Sequence, residues 1–566
     1  MRPRLVLRRI SLWRWKRSSP LRTYTHHTSI RTNGGRPQLP FLSIPTTTRQ
    51  TQRVRYLTTE RKQWIKYEVK LGLKYTVYFW IAICCVGAGA FAIQQEILER
   101  QYPTPHEWRF LTRTRFKSAH AERDRADNRS TDWVVVMELV KGVVERLEDP
   151  KIDGRGVKDA APDAPPLTKD ISAMSEPWRR GYYEAMMLYA MAAEHLDGWV
   201  MDKTRNIAFP PEVVVGPSNP RPKPVPAGAQ KAPREEDCEV AYPAPDDIYM
   251  KIISTEGFTP RQRMDAALAY ANYLEYKGVT GPASVMYERA LSLAISSRPS
   301  DAPNPVNQKT WVLDDSAGPP TSNILASLTA LATFQARIGN VSTALPVLVS
   351  ILKARRSLPL SDKRPVYQSS ALGRPNRSGT GVMETVLSLI WPPPYTVPPG
   401  DGNTPPVRGP KELCEEAALL SNIGEIIYAT RPASREEGIA WTREAVDIAE
   451  EQLHRLGGGG GRGGGPATAE DRAALKTCRD CLSTGLTNWD AMVARLAREE
   501  AARREAATGR PPKKASWFAL WGEGEVADQD RWAAEERVVQ DRRRRAAELL
   551  DELEPPKSGG SSIFIA

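Results

Sequence analysis

The chain has 566 residues, with 79 Lys and Arg against 67 Asp and Glu, a formal charge of +12 and a pI near 9.3. That basicity is confined to one end: residues 1–59 carry twelve Arg, one Lys and no acid, and without them 66 basic residues face 67 acidic ones. The body is near neutral, so phosphate neutralisation, the main source of nucleic-acid affinity, has no basis in it.

The acid-free, Ser- and Thr-rich residues 1–59 have the composition of a mitochondrial presequence. Their opening, RPRLVLRRISLWRWKR, sets Leu5, Leu7, Ile10, Leu12, Trp13 and Trp15 among arginines, which predicts a short helix with one apolar and one cationic flank. Cleavage is expected near residues 55–59. Residues 60–74 form a basic flank, and residues 75–93, YTVYFWIAICCVGAGAFAI, follow without a single charge. As a helix rising about 1.5 Å per residue, this stretch just crosses a hydrocarbon core of about 30 Å. Tyr75, Tyr78 and Trp80 suit the headgroup boundary at its start. Arg61, Lys62, Lys66, Lys70 and Lys74 precede it, whereas Glu96, Glu99 and only Arg100 follow closely. The positive flank stays inside. For an imported protein that predicts a single-pass inner-membrane topology, with the N-terminus in the matrix, inner-membrane lipid around the span and the body in the intermembrane space. Cys84, Ala88 and Ala92 recur every fourth residue as a small face suited to close helix packing.

Beyond the span, residues 131–149 and 176–202 both show helical periodicity and read as an antiparallel hairpin, with Ser175 as N-cap and Pro177 in the first turn of the second helix. Tyr182, Tyr183, Met186, Met187, Tyr189 and Met191 read as core packing rather than a cofactor box. The Pro-rich residues 210–245 read as an irregular connection.

The most informative pattern begins at Met264. In RMDAALAYANYLEYKGVTGPASVMYERALSLA, the residues Ala267, Tyr270, Ala271, Leu274, Gly278, Ala283, Tyr287 and Ala290 fall at the positions of a tetratricopeptide repeat. Ala271 and Ala283 let two helices cross closely, and Tyr287 fills the space beside them. NILASLTALATFQARIGNVSTALPVLVSILKA repeats the register, with Ala332 and Ala344 in the same places. A third, weaker copy carries Gly424 at the crossing of its first helix, with Gly438 and Ala445 on its second. Insertions over residues 299–320 and 358–410 are Pro-rich and too long for regular stacking turns.

The expected fold is therefore all-α: one transmembrane helix, then a decorated array of tetratricopeptide-like α-α hairpins over residues 121–455, with long insertions read as disordered. A Gly-rich tether (456–467), a closing helix (468–506) and a charged, partly disordered tail (507–566) complete it. Within the tail, WFALW at 517–521 reads as a cap on the array, with a contact on the membrane surface as the alternative, residues 531–554 as a solvated helix, and 555–566 as disordered. Cys478 and Cys481 form a CxxC in mid-helix that lacks zinc-ligand spacing and a βαβ frame; a structural disulfide between them and two packed thiols are the alternatives. No histidine spacing, phosphate loop or nucleophile constellation points to catalysis, a metal or a cofactor, so no enzyme is expected.

The presequence, the span, the repeats, YPTPHEWRFLTRTRFKSAH at 102–120 and SEPWRRGYYEAMMLYAMAAEH at 175–195 together resemble the tetratricopeptide adaptor subunits of the fungal mitochondrial i-AAA protease. The resemblance implies an adaptor that binds unfolded or misfolded membrane proteins and helps deliver them to that protease beside a second membrane adaptor. The partner groove would run over the first helices of the repeats, through Leu268, Asn272, Glu275, Tyr276, Thr329, Thr333 and Asn422. A chaperone-receptor clamp is disfavoured: Asn272 and Asn422 suit it, but Leu268, Thr329, Ala326 and Ala418 stand where cations are needed. The alternative is a scaffold for respiratory-complex assembly in the same membrane.

Overall fold

The computed structural model describes residues 59–125, 131–159, 168–225, 230–299, 303–360, 395–396, 398, 400–458, 469–508 and 531–553. The presequence up to residue 58, most of the insertion after Leu358, most of the glycine tether, the WFALW motif and residues 555–566 lie outside them. The described residues form thirteen α-helices and five short strands. One of the helices, α1 (Thr59–Gln101), is long and apolar enough to cross a membrane. It runs through the boundary between two compact units, which falls between Val86 and Gly87. In the first unit the apolar side chains of α1, among them Trp80 and Phe79, are exposed all round.

The second unit opens with a clamp. Glu99, in the last turns of α1, is buried, and its carboxylate accepts from the Thr104 amide at 3.0 Å and the Thr104 hydroxyl at 2.8 Å. It also pairs with Arg113 at 3.0 Å and Lys117 at 2.9 Å on α2 (Phe110–Arg123). Burial alone would raise the Glu99 carboxyl, but the bonds from Lys117, Thr104 and Arg113 outweigh it and hold it below its ordinary value.

From there the helices pack in successive pairs. They are α2 with α3 (Trp133–Glu148), α4 (Glu176–His195) with α5 (Pro245–Ser254), and α6 (Pro260–Tyr276) with α7 (Thr280–Ser296). Then come α8 (Ser322–Arg337) with α9 (Val341–Arg356), α10 (Pro410–Thr430) with α11 (Arg435–Gly458), and α12 (Ala469–Thr508) with α13 (Arg531–Leu553). The second helix of each pair packs on the first helix of the next, so one continuous apolar core threads the stack. Side-chain caps start several helices: Asp132 for α3, Ser175 for α4, Thr321 for α8, and Thr259 for α6, which forms a full capping box with Gln262.

Four expectations are corrected. The helix expected to reach residue 202 stops at His195, because Gly198 (φ +78°) and then a turn around Asp202, with Asn206 at φ +55°, reverse the chain. Residues beyond it form a small antiparallel sheet of order β4-β3-β5, from β3 (Val200–Asp202), which takes the end of the expected helix, β4 (Ile207–Phe209) and β5 (Cys238–Val240), which lies inside the Pro-rich residues 210–245 read as irregular. A two-stranded pair, β1 (Lys158–Asp159) and β2 (Lys169–Asp170), lies before α4. The insertion over residues 299–320 is packed in its described part: Val306 and Leu313 are buried, and the Leu313 amide donates to the Ser350 hydroxyl of α9 at 3.3 Å. Finally, α13 is not a solvated helix. It buries Val539 and Ala546, and its Arg542 pairs with Asp447 and Glu450 of α11, each at 2.6 Å.

Candidate functional site: the face of the first helices

The small residues singled out by spacing are buried. Ala271, Ala283 and Tyr287 are fully buried between α6 and α7, and Ala332 and Ala344 almost fully between α8 and α9. Gly424 lies where α10 meets α11: a Cβ there would come within 2.6 Å of the Gly438 carbonyl oxygen. Gly278 (φ +77°) and Gly339 (φ +92°) end α6 and α8 in the same way. In each case the glycine amide and the next one turn back on the helix, Gly278 to Glu275 and Val279 to Leu274, Gly339 to Ala336 and Asn340 to Gln335.

The residues expected to line a groove divide in two. Asn272 and Glu275 are engaged internally: the Tyr287 hydroxyl lies 2.6 Å from Asn272 Oδ1 and 2.9 Å from Glu275 Oε2, and Arg337 of α8 pairs with Glu275 at 3.1 Å. Burial and the neighbouring Glu275 push the Tyr287 phenol well up, so it stays a donor. Thr329 and Thr333 donate to carbonyls of their own helix, and Leu268 and Asn422 are half-buried. Tyr276, by contrast, is 88% exposed at the end of α6. Within this set the structure joins Asn272, Glu275 and Tyr287 across one pair and reaches the next pair through Arg337.

A second feature of this face comes from the chain itself. Described residues between 395 and 409 lie against the starts of the first helices as a strap. The Arg180 guanidinium of α4 stacks 4.1 Å from the centroid of the Tyr395 ring and donates to the Thr396 carbonyl. At α8, the Asn323 side chain donates to the Asp401 carbonyl at 2.8 Å, while its backbone amide donates to the Gly402 carbonyl at 3.2 Å and that of Ser322 to the Thr404 carbonyl at 3.3 Å. Arg261 of α6 fixes the Asn323 side chain by donating to its Oδ1 at 2.7 Å. Gly402 has φ +69°, and a Cβ there would fall 2.2 Å from Asn323 Oδ1. The strap ends with Arg408 paired to Glu416 at 2.6 Å, at the start of α10. Glu184, one turn beyond Arg180 on the same helix, is exposed.

Sequence reasoning missed Arg180, Arg261 and Asn323. One signal was present: Arg180 interrupts the run Trp178, Gly181, Tyr182 that α4 buries, and a buried cation in an apolar stripe requires a partner.

The cysteines differ from expectation. Cys478 of α12 is bonded to Cys414 of α10, with Cα atoms 5.0 Å apart, and Cys481 is a buried free thiol. Residues three apart on a helix hold their Cβ atoms about 5–6 Å apart, beyond the roughly 3.5–4.5 Å that a disulfide spans, so the CxxC cannot close on itself without unwinding. Burial pushes the Cys481 thiol up to about 12. Among the described residues no three His, Cys, Asp or Glu side chains are grouped to hold a metal ion. Compared with known proteins, the chain matches no family model, no curated protein and no solved structure.

Proposed function

We propose that this chain is a membrane-anchored adaptor that holds extended polypeptide against the first helices of a tetratricopeptide-like array and passes it to an ATP-driven protease. The observation that carries the reading is the strap. A segment outside the helices is held at α4 and α8 through its carbonyls and one aromatic ring, groups that unfolded chains commonly present. The recurrent glycine ends of α6 and α8 and the small-residue crossings support the tetratricopeptide character of the pairs. The arginine-rich, acid-free first 59 residues and the cationic flank before Tyr75 support the mitochondrial inner membrane, with the body in the intermembrane space. The i-AAA protease and a second membrane adaptor as partners, and misfolded membrane proteins as substrates, follow from the resemblance. Chemistry is left to the protease, and this chain acts by binding alone.

The test uses the full-length chain in nanodiscs, without nucleotide, and one labelled protein in its native and its reduced, carboxymethylated forms. The adaptor binds the unfolded form selectively; equal binding of both forms sinks the reading. A crosslinked pull-down from mitochondria then separates the partners: an AAA protease supports the adaptor, whereas respiratory subunits alone support the assembly scaffold.

A further inference from the structure

We propose that the first turn of α2 is a second membrane contact, with Phe110 and Leu111 resting in the interface of the bilayer that α1 crosses and the cleft beside them seating a phospholipid. The inference rests on the reading of α1 as a span. It follows from the direction the chain takes after leaving α1. The loop over residues 102–109 turns back, so that α2 runs beside the last turns of α1 in the same direction. Phe110 meets Phe91 edge-on at 6.3 Å, Lys117 meets Glu99 at 2.9 Å, and His120 stacks on Tyr102 at 5.3 Å. Phe91 lies two residues before Ile93, the end of the uncharged segment. At about 1.5 Å per residue it sits roughly 3 Å inside the apolar end. The ring that touches it lies at the same depth.

The exposed chemistry agrees. Phe91, Phe110 and Leu111 are 47%, 60% and 45% exposed in one place, an arrangement that water disfavours and an interface accepts. Two exposed cations lie near them: Arg109 directly precedes Phe110, and its guanidinium donates to the backbone carbonyl of the exposed Lys151 at 3.0 Å and pairs with Asp153 at 3.9 Å. Between the helices is a cavity of about 290 Å³, apolar where Phe91, Ala92 and Phe110 line it and polar where Gln95, Glu96, Glu99, Arg113 and Lys117 do, with Arg113 and Lys117 both paired to Glu99. Gln95 Oε1 is buried there without a hydrogen-bond partner among the described residues. An apolar mouth over a polar floor matches the region where a phospholipid's acyl chains join its headgroup.

The experiment places the photocrosslinker p-benzoylphenylalanine at Phe110, at Phe79 within the span, or at the exposed Met250 on α5, in the full chain reconstituted in phosphatidylcholine vesicles doped with phosphatidylglycerol. All three positions are exposed, so the fold tolerates the probe. Irradiation is expected to give lipid adducts at Phe79 and Phe110, each about tenfold above Met250. Adducts at Phe79 with Phe110 no higher than Met250 overturn the inference and leave the span standing. Absence of lipid adducts at Phe79 overturns the span reading, and this inference with it.

Discussion

Where α10 crosses α11, two glycines face each other: a Cβ on Gly424 would lie 2.6 Å from the Gly438 carbonyl oxygen, and one on Gly438 would lie 2.7 Å from that of Gly424. The obstacle is backbone on both sides and cannot step aside. Gly424→Val is therefore expected to lower stability by about 3 kcal/mol, read as a shift in the urea midpoint. Gly278 makes the opposite case. Open space surrounds it, but φ is +77°, so Gly278→Asn, which tolerates the left-handed region, is expected to cost under about 1 kcal/mol. Equal losses would mean that the α10–α11 crossing is looser than this geometry. His120 supplies a second prediction at this scale. Its ring is wedged between Tyr102 and Phe116 with no partner for either nitrogen among the described residues, and burial first, then Arg123, lowers its pKa to about 4 against the pull of Asp124. The imidazole is neutral in the fold and protonates near 6.5 when unfolded, so stability falls as pH drops below about 6.5 and levels off below about 4. Between pH 7 and 5 this one group accounts for a loss of about 2 kcal/mol, which His120→Phe removes while keeping the ring stack. An identical pH dependence in the wild-type and variant urea midpoints would contradict the burial of a neutral ring.

At the scale of elements, the Cys414–Cys478 bond ties α10 to α12 over a sequence separation of 64 residues that includes the glycine tether. Closing a loop of that length restricts the unfolded chain, and its loss through Cys414→Ser is expected to cost about 2–4 kcal/mol. A non-reducing tryptic map checks the pairing directly, since cleavage after Arg479 separates Cys478 from Cys481: the Cys478 peptide should run attached to that of Cys414. What was legible beforehand follows from range. The burial of Ala271, Ala283, Ala332 and Ala344 was readable because small apolar residues at fixed helical spacing mark a packed face within a short window. The disulfide partner was not, because pairing across 64 residues leaves no local pattern. Strands of three residues such as β3 are shorter than any window in which alternation shows. The burial of α13 was hidden because Arg542 and its neighbours read as solvated charge until Asp447 and Glu450 of α11 stand opposite. Asn272 and Glu275 were placed on the correct helix, but their role as partners of the Tyr287 hydroxyl depends on how α7 packs, which spacing alone leaves open.

For the molecule as a whole, if the face of the first helices takes up polypeptide as proposed, binding and internal closure by the strap compete for it. Described residues of the strap contact α4 at Tyr395 and Thr396, pass α8 at Asn323 and lead into α10. An incoming polypeptide that uses Arg180 and Asn323 must first displace this segment, so its apparent affinity is its intrinsic affinity scaled by the fraction of molecules with the strap released. Two substitutions should then act in opposite directions. Gly402→Val places a side chain against Asn323 Oδ1, at a φ that β-branched residues avoid, and loosens the strap while leaving every residue of the face unsubstituted. It is expected to tighten binding of unfolded protein severalfold. Arg180→Ala removes a group that strap and ligand share, along with the stack on Tyr395, and is expected to weaken binding even though it also frees the strap. Because carbonyl bonds and ring stacking carry these contacts more than exposed charge pairs do, both effects should persist when salt rises from about 0.05 to about 0.5 M. Fluorescence anisotropy of a labelled, carboxymethylated protein against the full chain in nanodiscs measures all three. If Gly402→Val binds no better than the wild type while Arg180→Ala binds worse, the strap is packing and not a competitor. If neither changes binding, the ligand occupies another face, and Tyr276, standing 88% exposed at the end of α6, becomes the residue from which to search for it.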